Sequence, residues 1–249
     1  MPGKIIVAVH SGFMNGKILY EVVRKYPPKI WLISYLTDAT YVEYRDIKHY
    51  IRGRLVDIGC GAKPYKDFWA SVVSEHIGVD HEATVHDRSN IDKFASAYAI
   101  PEEDESFDCA ICNSVLEHLE EPERAIRECY RLLKPGGVAV YSVPFIWHLH
   151  EEPRDFFRYT KYGLQYLFEK VGFEIIELNA LSGFWVTFGQ LLVYNLYRVN
   201  RGPLRWLRII DAVGVLIQLV SYVLDRVDKT EKWTWMYIIV ARKPVSVMG

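Results

Sequence analysis

The segment Leu55-Val56-Asp57-Ile58-Gly59-Cys60-Gly61 does most to limit what this chain can fold into. An apolar strand runs straight into a Gly-x-Gly turn, with an acidic residue two positions before the first glycine. In an open α/β sheet, ligands bind beyond the carboxyl ends of the strands, where the strand order reverses. Glycine at such a turn permits positive φ and lets a ligand approach the backbone closely. A dinucleotide fingerprint would continue to a third glycine. Here that position is Pro64, and the turn also holds Lys63, so the segment suits pyrophosphate recognition poorly. One strand further on, Gly78-Val79-Asp80 ends another apolar run. An acid at that point can accept charge-assisted hydrogen bonds from ribose hydroxyls.

From Arg54 onward the pattern alternates between strand and helix. Strands are expected over Arg54–Ile58, His76–Val79, the neighbourhood of Asp92–Ala95, Phe107–Cys112, Val138–Val143, Phe173–Leu178 and Trp235–Ala241. Helices are expected over Lys66–Glu75, Pro122–Leu133 and Thr160–Val171. Lys134-Pro135-Gly136-Gly137 stops the second and Gly172 the third. The expected fold class is α/β: a doubly wound, mostly parallel seven-stranded sheet with an apolar helical insert before the last strand. With 249 residues the chain suits one large α/β domain with elaborations. Residues 1–52 are expected to form an N-terminal cap, with a short strand at Ile5–Val9 and helical stretches after it. Residues 53–182 and 233–243 form the core, and 183–232 the insert.

A third piece is Ser106-Phe107-Asp108-Cys109-Ala110-Ile111-Cys112-Asn113-Ser114-Val115-Leu116-Glu117-His118-Leu119, followed by Arg131-Leu132-Leu133-Lys134-Pro135-Gly136-Gly137. With these motifs in this order, the chain resembles the class I S-adenosylmethionine-dependent methyltransferases, especially the small-molecule group related to the ubiquinone-biosynthesis enzymes. The resemblance runs from about Leu55 to Phe173, with Trp235–Ala241 resembling the antiparallel last strand. It implies S-adenosylmethionine as cofactor and S-adenosylhomocysteine as product. Asp57, Gly59 and Gly61 would form the pocket for the amino-acid part of the cofactor, and Asp80 would hold the ribose. Ser96 and Ala97 would flank the adenine, although many relatives carry Asp at the position of Ser96. Asn113 would line the cofactor floor. Glu117 reads as a helix-surface residue, and His118 as either a surface residue or one facing the cleft.

After the fifth strand comes Pro144-Phe145-Ile146-Trp147-His148-Leu149-His150-Glu151-Glu152-Pro153-Arg154-Asp155-Phe156-Phe157-Arg158-Tyr159-Thr160. By position it lies at the carboxyl edge of the sheet. Some bacterial relatives, often found with surface-polysaccharide genes, carry a similar stretch. Methyl transfer to a hydroxyl benefits from positioning and from a base of near-neutral pKa. His148 and His150 are the candidate bases, with His148 preferred because it follows the strand end first. Arg154 and Arg158 suit an anionic or polyol acceptor, and Tyr159 could orient it; alternatively, Arg154, Asp155 and Arg158 only shape the wall. A metal held by His148, His150 and Glu151 is weighed and set aside, because adjacent ligands on one short loop rarely close a site. Cys109 and Cys112 spell C-x-x-C within a strand, where residues three apart face opposite ways. The four cysteines are expected to be reduced and structural.

Gly183–Asn200 and Leu204–Val227 read as two helices, apolar around much of their circumference, joined near Arg201-Gly202-Pro203. Arg198, Arg201, Arg205 and Arg208 sit between them with Tyr197 and Trp206. A lid, a homodimer surface or peripheral docking at a membrane interface each fit this pattern. A formal net charge of −1 supplies no field for nucleic acid, which is not expected as a partner. No signal peptide is read at the start, so the expected location is cytoplasmic, with the inner face of the membrane as a place of contact. The reaction expected is O-methylation of a small or lipid-linked acceptor, of sugar or isoprenoid type. The rival readings are a catalytically silent cofactor-binding or interaction protein of the same fold, and a nicotinamide-dependent oxidoreductase.

Overall fold

A computed structural model describes residues 15–39, 47–84, 86–228 and 230–245. The strand expected over Ile5–Val9 lies outside the described residues. The chain divides into two compact units. Among the described residues, one unit holds 47–179 and 237–245, and the other 15–39 and 180–236.

The first unit is built on the sheet. Its elements are α3 (Ile47–Tyr50), β1 (Gly53–Ile58), α4 (Lys66–Trp69), β2 (Val73–Asp80), β3 (Lys93–Phe94), β4 (Phe107–Asn113), α5 (Pro122–Leu132), β5 (Leu133–Pro144), α6 (Lys161–Val171), β6 (Glu174–Ala180) and β7 (Met236–Arg242). (β6 and β7 each reach one residue into the other unit.) α1, α2, α7, α8 and α9 belong to that second unit. The strand order is β3-β2-β1-β4-β5-β7-β6. β1 lies parallel to both β2 and β4, β2 to β3, and β4 to β5. The order therefore reverses between β1 and β4, and a crevice opens at their carboxyl ends. Gly136 donates to the Lys243 carbonyl and Lys243 to that of Gly137, so the end of β7 lies against the start of β5 and runs antiparallel.

The sequence accounts for these elements. Residues 109–112 of β4 are all buried, as expected of a strand covered on both faces. Cys109 and Cys112 are both buried and free within it. α5 starts at Pro122 and buries Ala125, Ile126, Cys129 and Leu132 on one face. α6 is capped by the Thr160 hydroxyl, which accepts from the Gly163 amide, and ends at Gly172 with φ of 113°. Two expectations are corrected. The helix expected over Lys66–Glu75 is only α4, because the β-branched Val72-Val73 pair favours extended chain and β2 begins at Val73. α5 ends at Leu132, just before Lys134-Pro135-Gly136-Gly137, but that segment is not a loop: β5 starts at Leu133 rather than Val138, held there by the bonds to Lys243.

The second unit is helical: α1 (Gly16–Lys25), α2 (Trp31–Ala39), α7 (Phe184–Tyr197), α8 (Gly202–Trp206) and α9 (Ile209–Val227). The expected second insert helix is broken into α8 and α9 at Arg208, whose φ is 53°. The segments expected as a separate cap and insert share this unit, for a polar reason. The Pro28–Ile30 turn between α1 and α2 leaves backbone groups that cannot go unpaired. The Gln218 amide, buried in α9, donates to the Pro28 carbonyl at 2.8 Å and accepts from the Leu32 amide at 2.8 Å. The Gln190 amide of α7 donates to the Lys29 carbonyl at 2.7 Å. Asp225 caps α7 from α9, accepting from the amides of Gly183, Trp185 and Val186. Among the described residues, no helix is long and apolar enough to cross a membrane.

Gln218→Leu takes the side-chain acceptor from the Leu32 amide and leaves the Pro28 carbonyl with the Trp31 amide alone. A loss of about 2–3 kcal/mol is expected, which lowers Tm by roughly 4–12 °C in a chain of this size. A thermal melt within a degree of the parent would contradict the role given to Gln218.

Candidate functional site

At the carboxyl end of β1 the chain turns through Gly59, with φ of 70°, and Gly61, with φ of 48°. A Cβ on Gly59 would meet a Val115 methyl at 2.3 Å, so the turn packs where no side chain fits. The amides of Gly59 and Cys60 both donate to the Val79 carbonyl, and the Gly61 amide donates to Asp80 Oδ2 at 2.8 Å. Asp80 Oδ1 accepts from the His81 amide at 2.7 Å. The turn after β1 and the acid ending β2 are thus one assembly. Asp57 is buried, with Oδ2 3.0 Å from His76 Nε2. Burial raises its carboxyl above the usual range, while His76 pulls the other way. Cys60 is buried in the same turn, and its thiol is pushed up to about 12, too high for a nucleophile.

In the sequence Lys63 stands only as a residue unsuited to a pyrophosphate turn. It is buried, paired with Asp92, and donates to the His76 carbonyl at 3.0 Å. Its ammonium is therefore committed beneath β2, where Gly78 leaves it room. Asp92 also accepts from the Gly78 amide. Ser96 and Ala97 follow β3, whose Phe94 pairs with Asp80, so the three residues share one edge of the sheet. The Ser96 hydroxyl accepts from the Tyr98 amide at 3.2 Å. Asn113 closes β4, where its Oδ1 accepts from the Ser142 hydroxyl at 3.3 Å.

Beyond β4, Leu116–His118 form a single 3-10 turn. The 144–160 loop is strapped onto it. Phe156 and Phe157 both donate backbone N–H to the Glu117 carbonyl, and the Tyr159 hydroxyl donates to the Leu116 carbonyl at 2.8 Å. Two expected acceptor contacts are corrected here. Tyr159 is buried and its hydroxyl is spent on that turn. Arg158 uses every N–H it has: Nε on the Trp147 carbonyl, Nη1 on Asp155 and the Phe157 carbonyl, Nη2 on the His148 carbonyl and Asp155. With five donors and five acceptors it is a staple inside the loop and has none left for an acceptor. Its hydrogen bonds hold the nearly inaccessible Asp155 carboxyl far below the usual range.

Glu117 corrects a further expectation. It is not on a helix surface but fully buried, and burial pushes its carboxyl up to about 8. Neither carboxylate oxygen has a hydrogen-bond partner. Its Oε1 lies 3.9 Å from both His118 Nε2 and His150 Nε2. His118 faces this cluster, and the two imidazoles meet edge to face at 4.7 Å. His148 is exposed, so of the two candidate bases the structure brings His150 to the cluster. The signal available in the sequence was Glu117 flanked by Leu116 and Leu119 just past a buried strand: an acid in a setting too apolar for a surface.

Residues 56–141 match the family model described as a methyltransferase domain. A protein of Mycolicibacterium smegmatis named "Probable S-adenosylmethionine-dependent methyltransferase" is 34% identical over 110 residues, covering 41% of this chain and 43% of that one. A ubiquinone biosynthesis O-methyltransferase of Paraburkholderia phymatum is 30% identical over 105 residues, covering 38% of this chain and 45% of that one. This chain thus spans less than half the length of these curated relatives. In fold, the crystal structure of the [4+2]-cyclase SpnF matches with a TM-score of 0.57 and 21% identity, covering 92% of this chain and 93% of that one.

Proposed function

Because the chain belongs to the class I S-adenosylmethionine-dependent methyltransferase family, we propose that it methylates an oxygen of a small or lipid-linked acceptor, of sugar or isoprenoid type. The observation that carries this reading is the Asp80 carboxylate closed on the Gly61 amide, where the ends of β1 and β2 meet the reversal of strand order. Each Asp80 oxygen accepts one backbone N–H and keeps lone-pair capacity for a ribose hydroxyl. When bound, the cofactor supplies an electrophilic methyl group on a sulfonium, and S-adenosylhomocysteine leaves. Asp57, Gly59 and Gly61 would take its amino-acid part, Ser96 and Ala97 its adenine, and Asn113 would floor the pocket. The buried pairing of Lys63 with Asp92 speaks against a pyrophosphate ligand, since that ammonium is not free to meet phosphate. His150 and His148 are the candidate groups for taking the hydroxyl proton, His150 now preferred because it faces the cluster at the end of β4.

A lipid-linked acceptor is supported by the surface of α9. Val213, Leu216, Val220, Val223 and Val227 are exposed at spacings of three and four, which places them on one stripe. Trp206 is 82% exposed, and Arg198, Arg201, Arg205 and Arg208 are exposed beside it. Cations and an aromatic next to an apolar stripe suit the face of an anionic bilayer. Co-sedimentation with phosphatidylglycerol vesicles is expected at low salt, weakening as salt rises and with Trp206→Ala. A protein that stays in the supernatant at low salt, or a dimer that covers the stripe, would contradict membrane docking.

Calorimetric titration tests the cofactor assignment. S-adenosylmethionine and S-adenosylhomocysteine are expected to bind saturably, and NADH not. Asp80→Ala should weaken both by about 1.5–3 kcal/mol, roughly ten- to 150-fold in Kd. Asp80→Asn, which keeps one carbonyl acceptor, should fall between. Unchanged affinity in both variants would contradict the role of Asp80.

A further inference from the structure

We propose that Glu117, His118 and His150 form a binding site for one divalent transition-metal ion of the zinc class. One ligand atom from each of the three side chains lies within 4.8 Å of the other two. A Zn²⁺ bonded at about 2.0–2.2 Å holds tetrahedral ligand atoms roughly 3.3–3.6 Å apart. The two Glu117–histidine separations are 3.9 Å and the third lies within 4.8 Å, so closing on an ion takes side-chain movements of up to about an ångström.

Two independent features point to a cation. The first is Glu117 itself, fully buried with both oxygens lacking a hydrogen-bond partner and one of them aimed between the imidazoles. Buried carboxylates are ordinarily paired, hydrogen-bonded or metal-bound. The second is the way both rings are held from behind. His118 Nδ1 is 2.6 Å from the Arg154 carbonyl. A carbonyl only accepts, so Nδ1 carries a proton and Nε2, a buried atom without a hydrogen-bond partner, is the nitrogen left to meet an ion. His150 Nδ1 lies 3.3 Å from Asp155 Oδ2 and 3.3 Å from the His148 carbonyl, acceptors again. Metal-binding imidazoles are oriented in this way, one nitrogen donating to a carboxylate or carbonyl and the other turned to the ion. The five-bond Arg158 staple then has a purpose, since it fixes the Asp155 carboxylate that orients His150.

The three ligands come from the turn after β4 and the loop after β5. A ligand set confined to that loop misses the two that follow β4. Two imidazoles and a carboxylate suit Zn²⁺ or another first-row ion rather than Mg²⁺. Three protein ligands leave a coordination position open. Resting on the function proposed above, that position would take the acceptor's hydroxyl oxygen and lower its pKa, the proton passing to water as the methyl group is taken and S-adenosylhomocysteine leaves. A bound His150 cannot also accept the proton, so the ion and a His150 base exclude each other.

The test uses the full chain, stripped with chelator and titrated with Zn²⁺ by calorimetry, and with Co²⁺ by visible absorption, in the absence of cofactor and acceptor. One ion per chain is expected, with the d–d bands of a low-coordinate Co²⁺ site. Glu117→Gln and His150→Asn should each weaken Zn²⁺ at least tenfold. Asp155→Asn should weaken it by about ten- to hundredfold through the orientation of His150. His148→Ala should leave it unchanged. Circular dichroism confirms folding, and His150→Asn, on the surface loop, carries the test if Glu117→Gln does not fold. No stoichiometric binding, or binding indifferent to Glu117→Gln and His150→Asn, would overturn the site. Titration with S-adenosylhomocysteine is a separate readout, so failure of the metal site and failure of the methyltransferase reading are distinguishable.

Discussion

The turn after β1 is closed by hydrogen bonds to the end of β2, and the candidate site depends on that closure. Gly59 and Cys60 share the Val79 carbonyl, and Gly61 donates to Asp80. The turn can pass beneath Val115 only because residue 59 has no Cβ. The same constraint places Asp57, Asp80 and the Asn113 end of β4 at one edge, because β1 lies between β2 and β4 in parallel register. Lys63 and Asp92 brace the arrangement from below, in space that Gly78 leaves open. The candidate site is thus laid down largely by backbone geometry.

On the far side of the strand reversal the organising force is polar satisfaction within a loop. Arg158 gathers Asp155 and three carbonyls, and Tyr159 ties the loop to Leu116. Residues that looked free to meet an acceptor in the sequence are consumed in shaping the wall. What the loop presents inward is His150, set against Glu117 and His118. A buried carboxylate without hydrogen-bond partners is expensive to keep, and its persistence marks this cluster as the chemically loaded part of the fold.

Much of the sheet was legible because its patterns are strong. β4 is a continuous apolar run, α5 has one clean apolar face between Pro122 and Leu132, and Gly172 ends α6 as a left-handed cap should. The placing of Asp57 and Asp80 near the carboxyl ends of neighbouring strands was legible for the same reason, since each closes an apolar run. Other features depend on partners distant in sequence. Lys134 to Gly137 ends the helix as its sequence suggests, but its place in β5 shows only once Lys243 pairs with it. The first two helices share a unit with α7 and α9 through Gln190 and Gln218, and nothing local to Lys29 or Leu32 announces that. Arg158 reads as an anion binder because the number of its partners cannot be counted along the chain. Glu117 reads as exposed because its burial comes from a loop that begins well after it.

The account rests on Asp80 as the ribose-holding acid beside the Gly59–Gly61 turn. The most direct check is a crystal structure of the chain with S-adenosylhomocysteine. The predicted result places both ribose hydroxyls within hydrogen-bond distance of the Asp80 carboxylate, with the nucleoside over the β1 turn and its sulfur toward Asn113. A nucleoside bound elsewhere, with Asp80 touching only the amides of Gly61 and His81, would contradict it.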